Sequence, residues 1–125
     1  MQERRLRSLK VRRMSIDNVN MVVAYGDCDI CSVQLLKDAM ADIIKEGHKK
    51  LIVNVKNLRY LDNSGLAALL WARHKIEEVG GRLVAIGLSG NIGPAISSLG
   101  NLLNTATSVK DALGILNNSI HHSNR

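Results

Sequence analysis

The chain is poor in aromatic residues, since its 125 residues include no phenylalanine, two tyrosines and one tryptophan. Proteins that bind single-stranded nucleic acid stack bases on such rings, so this class of function is disfavoured. No apolar run approaches the roughly 20 residues that span a bilayer, and the charged N-terminus lacks the apolar segment of a secretory signal. The two cysteines lack the second pair of a structural zinc site, and the four histidines show no ligand spacing. We therefore expect a cytoplasmic protein without a metal or other cofactor.

Aliphatic side chains are abundant, and apolar residues make up 46% of the sequence. A chain of this length has room for one compact domain with a single core. We assign residues 1–8 to a basic arm, residues 9–118 to the domain and residues 119–125 to a C-terminal tail.

Positive charge is concentrated at the N-terminus. Of the net charge of +6, the first thirteen residues contribute +5, because they hold six basic side chains against Glu3 alone. Such an arm could contact nucleic acid or an anionic membrane surface, although a solvated segment leading into an edge strand is the more usual case. Because no base-reading element accompanies the arm, we expect no direct nucleic-acid binding and at most a weak contact with an anionic surface.

The remaining pattern alternates between short apolar runs and helical stripes. It predicts strands at 9–15, 19–26, 51–55, 82–88 and 105–107, and helices at 32–46, 64–79, 94–99 and 108–117. Asp17 and Asn18 predict a hairpin turn between the first two strands, and Ser108 is the expected cap of the last helix. Alternating strands and helices indicate an α/β fold, with a mixed, mostly parallel sheet of about five strands packed against about four helices.

A polar break separates the strand that ends near Val55 from the helix expected at 64–79. Its centre reads Asp62, Asn63, Ser64, Gly65. Asp, Asn and Ser accept hydrogen bonds from the free amides of a first helical turn, and glycine allows a close backbone approach. Those amides also suit a phosphate group. On residue type alone, Ser64 is most simply a helix cap without chemistry.

Four segments of the chain together resemble the STAS domain, and in particular the small single-domain anti-sigma factor antagonists of bacteria. The segments are Gly26–Asp29, Lys50–Leu61, Asp62–Leu66 and Gly80–Gly87, in the order and spacing of that family. Its members carry Asp-Ser-Ser-Gly, of which the third residue is phosphorylated, and the matching residue here is Ser64. This sequence departs from the motif at Asn63, where the family has serine.

The resemblance implies a partner switch. The unmodified protein would bind an anti-sigma factor serine kinase of the GHKL type and so release a sigma factor, which is regulated indirectly. Phosphorylation of Ser64 would end that binding, and a serine phosphatase would restore it. Asp62 would position the loop or contact the kinase, while Asn63 and Gly65 would shape the backbone. Asp27 and Asp29 would lie on the same rim. Whether the chain forms a homodimer stays open at this point.

Cys28 and Cys31 form a Cys-x-x-Cys between a strand and a helix, which is where a thioredoxin-like redox motif would lie. The neighbouring carboxylates of Asp27 and Asp29 would raise the pKa of both thiols, whereas a reactive pair needs a low pKa. A thioredoxin-like site is accompanied by a cis-proline, and Pro94, the only proline in the sequence, is not evidently that residue. We therefore interpret the cysteines as free structural thiols.

Two further functions need consideration. A serine hydrolase would need glycines on both sides of Ser64, where Asp62 and Leu66 stand, and His74 is too far along the same helix to act as its base. The glycines within Gly87–Gly93 match no phosphate-loop pattern, and we interpret them as a turn. A non-switching STAS scaffold, or an accessory subunit of a larger signalling or membrane-associated complex, is the alternative to the switch.

Overall fold

The computed structural model describes residues 8–89, 92, 96 and 102–123, with side chains as far as Asn117. Its elements are β1 (Lys10–Ile16), β2 (Val19–Cys28), α1 (Val33–Lys45), β3 (Lys50–Leu61), α2 (Asn63–Glu78), β4 (Arg82–Ile86), β5 (Asn104–Ala106) and α3 (Val109–Ser123). The five strands lie in one sheet in the order β1-β2-β3-β4-β5. β1 is antiparallel to β2, and the other neighbours are parallel. The predicted mixed, mostly parallel sheet is confirmed.

The β1–β2 hairpin turns at Asp17 and Asn18, as predicted. Both residues have positive φ, at 50° and 65°. A two-residue turn of this kind matches the right-handed twist of the strands, and Asp and Asn tolerate the left-handed conformation better than most side chains. The turn sets Ile16 opposite Val19 and so fixes the register of the hairpin.

The sheet separates two apolar layers. On one face, α1 and α2 pack through Leu36, Met40, Leu69 and Ile76 against sheet residues such as Val53. On the other face, α3 packs through Ala112 and Leu116 against Val23, Ile52 and Val84. Successive strand residues alternate between the two layers, which is why β2 carries an unbroken apolar run from Met21 to Ala24.

β3 is longer than predicted. The apolar pattern indicates a strand at 51–55, but β3 continues to Leu61 through residues that are mostly polar and exposed. This extension pairs with the end of β2 through two register shifts, each of which gives β3 one extra residue. Leu58 and Leu61 therefore both reach the core although they are three residues apart. The last pair of the ladder is Cys28 and Leu61, so β2 and β3 end together.

Other boundaries differ less. β4 ends at Ile86, two residues before the predicted Leu88, where Gly87 adopts φ +85°. α3 continues to Ser123, into the segment predicted to be a tail. The described residues include three helices. The fourth predicted helix, 94–99, lies outside the described residues except for Ile96. Among the described residues, none of the helices is both long and apolar enough to cross a membrane.

Candidate functional site

Ser64 lies in the first turn of α2, and Asp62 is the residue that caps this helix. Asp62 has an extended backbone, with φ −92° and ψ −172°. Its Oδ1 accepts hydrogen bonds from the amides of Ser64, at 2.9 Å, and Gly65, at 3.1 Å. The simplest interpretation of Ser64, as the cap itself, is therefore wrong: the cap is two residues earlier, and the Ser64 hydroxyl is left for another use.

The hydroxyl of Ser64 is held by the same carboxylate. Its Oγ donates to Asp62 Oδ1 at 2.5 Å, so one carboxylate oxygen accepts from two amides and one hydroxyl. The Ser64 side chain is half-buried, and Asn63 beside it is exposed. The hydroxyl therefore has a fixed direction, and it lies at the end of the helix where the peptide dipoles favour negative charge.

Two contacts fix the start of α2 against the sheet. The Asp62 amide donates to the carbonyl of Cys28 at 3.1 Å, which continues the β2–β3 ladder by one bond. At Gly65, a Cβ atom would lie 2.5 Å from Leu61 Cδ1 and 3.0 Å from Cys28 Sγ. Because the fully buried side chains of Leu61 and Cys28 fill this space, only glycine fits against them without a shift. The predicted role of Gly65, a close backbone approach, agrees with this packing.

Asp27 and Asp29 lie at and just beyond the end of β2, where they line an open depression of about 600 Å³ together with Arg59 and Tyr60. The Asp27 carboxylate lies 3.9 Å from Arg59 Nε. The Asp29 carboxylate accepts from the amides of Cys31, at 3.0 Å, and Ser32, at 3.1 Å. Asp29 therefore shapes the turn that leads into α1, while Asp27 forms an ion pair on the rim.

Two exposed apolar side chains in this region were not identified from the sequence. Ile30 is 74% exposed in the turn after β2, and Tyr60 is 42% exposed at the end of β3. Ile30 lies within the Cys-x-x-Cys segment and Tyr60 within the expected loop, so neither stood out by periodicity. The sequence signal that could have identified them is that each is an apolar residue that belongs to no helical or alternating pattern. Large exposed apolar groups beside polar ones are typical of surfaces that bind a partner.

The two cysteines occupy opposite environments. Cys28 is fully buried and Cys31 is exposed. Burial, together with the nearby charges of Asp62 and Asp29, raises the pKa of the Cys28 thiol to about 12. The sequence predicted this direction from neighbouring carboxylates, but the larger cause is burial under α2. Cys28 therefore stays protonated and unreactive in the folded protein. Both cysteines are free, as expected, but only Cys28 is buried in the core, and Cys31 is exposed.

His74 does not belong to the Ser64 site. It lies ten residues further along α2, which corresponds to about 15 Å of helix, and its Nε2 lies 3.1 Å from Glu78. The partner of the Ser64 hydroxyl is instead the Asp62 carboxylate. His74 is therefore not the base that a serine hydrolase would need beside Ser64.

Comparison with known proteins identifies the family. The STAS domain family model matches residues 12–112. The chain belongs to the STAS domain family. Among curated relatives, the anti-sigma-B factor antagonist of Staphylococcus aureus is 23% identical over 86 residues, which are 69% of this chain and 80% of the relative. The resemblance stated from the four sequence segments is thereby confirmed.

Solved structures of the family share the fold. An anti-sigma factor antagonist from Mycobacterium paratuberculosis superposes with a TM-score of 0.78 at 18% identity, covering 88% of this chain and 95% of that one. The Bacillus cell fate determinant SpoIIAA in its phosphorylated form gives a TM-score of 0.64 at 21% identity, covering 86% of this chain and 97% of that one. The STAS architecture of one α/β domain is therefore shown for this chain.

Proposed function

We propose that this STAS protein is an anti-sigma factor antagonist that works as a phosphorylation switch in the cytoplasm. Its unphosphorylated form binds an anti-sigma factor serine kinase of the GHKL type and releases that kinase's sigma factor. Phosphorylation of Ser64 ends the binding, and a serine phosphatase restores it. The observation that carries the proposal is the Ser64 hydroxyl, held by Asp62 in the first turn of α2. The names of the relatives support it, as does the phosphorylated state of SpoIIAA.

The chemistry of the switch follows from the shared carboxylate. A phosphate on Ser64 removes the proton that Oγ donates to Asp62 and adds about 1.5 to 2 negative charges at neutral pH. The helix end favours an anion by about 0.3–1 kcal/mol. Two unit charges about 4 Å apart near a protein surface repel by roughly 4 kcal/mol. Repulsion between phosphate and Asp62 therefore exceeds the attraction of the helix end.

A movement of one side chain would relieve the repulsion between the phosphate and the Asp62 carboxylate. The Asp62 carboxylate occupies the amides of Ser64 and Gly65, which are the donors that a phosphate at this position would use. We expect Asp62 to turn outward when Ser64 is phosphorylated and the phosphate to take one or both amides. The sheet and helices would stay unchanged, because the rearrangement involves side chains at one helix end.

The same rearrangement explains how a partner would be released. Before phosphorylation, the ends of β2 and β3, which lie next to Asp62 at the start of α2, present Ile30, Tyr60 and the Asp27–Arg59 ion pair. A kinase that covers this surface would have to bury the added phosphate and the displaced Asp62 carboxylate together. A penalty of a few kcal/mol, reasonable for buried like charges, weakens binding by about a hundredfold or more. Asp27, Asp29, Asn63 and Gly65 are the other residues that we assign to this contact.

Phosphorylation by candidate GHKL kinases from the same genome tests the proposal, with the modified residue mapped by mass spectrometry. The expected result is one phosphate, on Ser64, and none on the Ser64→Ala protein. Ser108 offers a matched control, because it also lies at a helix start and its Oγ accepts from the Asp111 amide at 3.1 Å. The Ser108→Ala protein should be phosphorylated like the wild type. Phosphate on another residue, or on none, would contradict the switch.

Binding measurements separate the switch from the scaffold. The Ser64→Ala protein should bind the kinase constitutively, and the Ser64→Asp protein should bind about a hundredfold more weakly. Circular dichroism spectra and melting curves of both variants show whether each one folds. If both fold and bind the kinase equally, the charge mechanism is wrong. Kinase binding without any phosphorylation would instead identify a non-switching STAS scaffold.

A further inference from the structure

β1 forms a long open edge of the sheet, on the side away from β3. It contains seven residues, whereas the opposite edge strand, β5, contains three. Within the described part of the chain, the outer side of β1 makes no backbone hydrogen bond. An exposed row of amides and carbonyls is a template on which another extended segment pairs.

The two faces of β1 differ in chemistry. Lys10 and Arg12 lie opposite Tyr25 and Val23 and share the face that α3 covers elsewhere. Both are exposed, and neither forms an ion pair with any described residue. On the other face, Arg13 already binds Glu46 through two hydrogen bonds of 2.6 and 2.9 Å. The free positive charge of this strand therefore lies on one face.

An apolar groove accompanies this charge. Its volume is about 760 Å³, and it is lined by Leu9, Lys10, Val11, Arg12, Tyr25 and Leu35. Leu35 projects from α1 and is 50% exposed, although it belongs to the apolar stripe of that helix. One wall of the groove, on the α1 side, is aliphatic, and the opposite wall carries the two cations Lys10 and Arg12.

We propose that the β1 edge binds an extended acidic segment of a partner protein, which adds to the sheet as a sixth strand. Because side chains of a strand alternate between faces, the segment would place acidic residues beside Lys10 and Arg12 and apolar residues against Val11 and Leu35. The recognised chemistry is an alternation of acidic and apolar residues. This site is separate from Ser64, and its occupation does not depend on phosphorylation.

Charge argues against the other occupants of this edge. β1 holds Lys10, Arg12 and Arg13 and no acidic residue, so two copies paired along this strand would repel each other. The preceding segment of the same chain adds Arg4, Arg5 and Arg7 against Glu3. An anionic membrane would neutralise the cations but would not pair with the outer amides and carbonyls of β1. An acidic strand would do both: its carboxylates would neutralise the cations, and its main chain would pair with β1.

The test uses the full-length ¹⁵N-labelled protein and a seven-residue peptide of alternating glutamate and valine with blocked ends. Addition of the peptide should shift the amide resonances of residues 9–16 and of Leu35. The Lys10→Glu, Arg12→Glu double variant should bind at least about tenfold more weakly. As a matched control of equal charge change, the Lys56→Glu, Lys110→Glu protein should bind like the wild type, since both residues are exposed away from β1. The Ser64→Ala protein should also bind normally.

N-methylated peptides separate strand pairing from simple charge attraction. In a strand, successive amides point to opposite edges, so pairing should survive methylation of one residue type and be lost on methylation of the other. Equal binding by both methylated peptides would overturn strand addition. So would an absence of shifts in β1. A β1-mediated dimer in sedimentation, or loss of binding to phosphatidylglycerol vesicles as the only effect of the double variant, would replace the proposed partner by a second copy or a membrane.

Discussion

Replacing Gly65 by alanine should destabilise the protein, whereas the same change at Gly114 should stabilise it. Both glycines lie in helices, α2 and α3. At Gly65, the new methyl group would lie 2.5 Å from Leu61 Cδ1 and 3.0 Å from Cys28 Sγ. At Gly114, no atom of the described residues outside the helix's own neighbouring backbone lies within 4 Å of the new methyl group. The chemical change is identical, and only the surroundings differ.

The size of the effect follows from two opposing contributions. Alanine in place of glycine stabilises a helix interior by up to about 1 kcal/mol, and by less in the first turn. Carbon atoms normally approach to about 3.5–4.0 Å, so the Gly65 variant forces an overlap of about 1 Å onto a fully buried leucine. Overpacking of this kind costs about 1–3 kcal/mol. The net expectation is a loss of about 1–2 kcal/mol for Gly65→Ala and a gain of up to about 1 kcal/mol for Gly114→Ala.

Thermal and urea unfolding of the two variants and the wild type measure the difference directly. For a chain of this size, the melting temperatures of the two variants should differ by about 10 °C, in opposite directions from the wild type. A Leu61→Ala change should relieve the overlap, so the double variant should lose less stability than the two single losses combined. If Gly65→Ala is as stable as the wild type, the close packing beneath Ser64 is not what requires glycine.

Three other outcomes are expected. Asp62→Ala should lower the free energy of unfolding by about 0.5–2 kcal/mol, and Asp62→Asn by much less, because asparagine also caps helices; urea titration compares them. Glu46 has a pKa lowered to about 2 by its hydrogen bonds to Arg13, so it stabilises the fold above its unfolded pKa of about 4.5 and less as the pH falls toward 2. The melting temperature difference between the wild type and Glu46→Gln should shrink over that range, and a constant difference would refute the ion pair. Iodoacetamide at pH 8 should modify Cys31 in the folded protein and Cys28 only in denaturant, and peptide mapping that finds both modified at once would contradict the burial of Cys28.

The sequence predicted the order of elements well where periodicity was undisturbed. It predicted the start of α2 because a polar run interrupts two apolar ones, but it could not choose between Asp62 and Ser64 as the cap. That choice depends on which residue keeps an extended backbone, and both residue types cap helices equally well. The difference matters, because Asp62 binds the free amides of the first turn. The Ser64 hydroxyl does not accept those hydrogen bonds, and we expect it to be the group that is modified.

Elements that depend on distant packing were harder to predict. Residues 56–61 of β3 are mostly polar, and their apolar members are spaced by three, so no strand pattern was visible. Likewise, the burial of Cys28 results from α2 lying over the end of β2, which local sequence does not encode. The fold could thus be predicted from pattern and resemblance. The extension of β3 and the burial of Cys28 beneath the site could not.

The two bulges in β3 make the site sensitive to deletions in a part of the chain that resembles a tolerant surface loop. They give β3 two residues more than β2 between the first and last pairs of the ladder. Loss of one residue from 56–60 would shift Asp62 by about 3.3 Å relative to Cys28 and turn Leu61 away from the core. Length variation in functional relatives of this protein should therefore be found in the hairpin and after β4, and not between Val55 and Ser64.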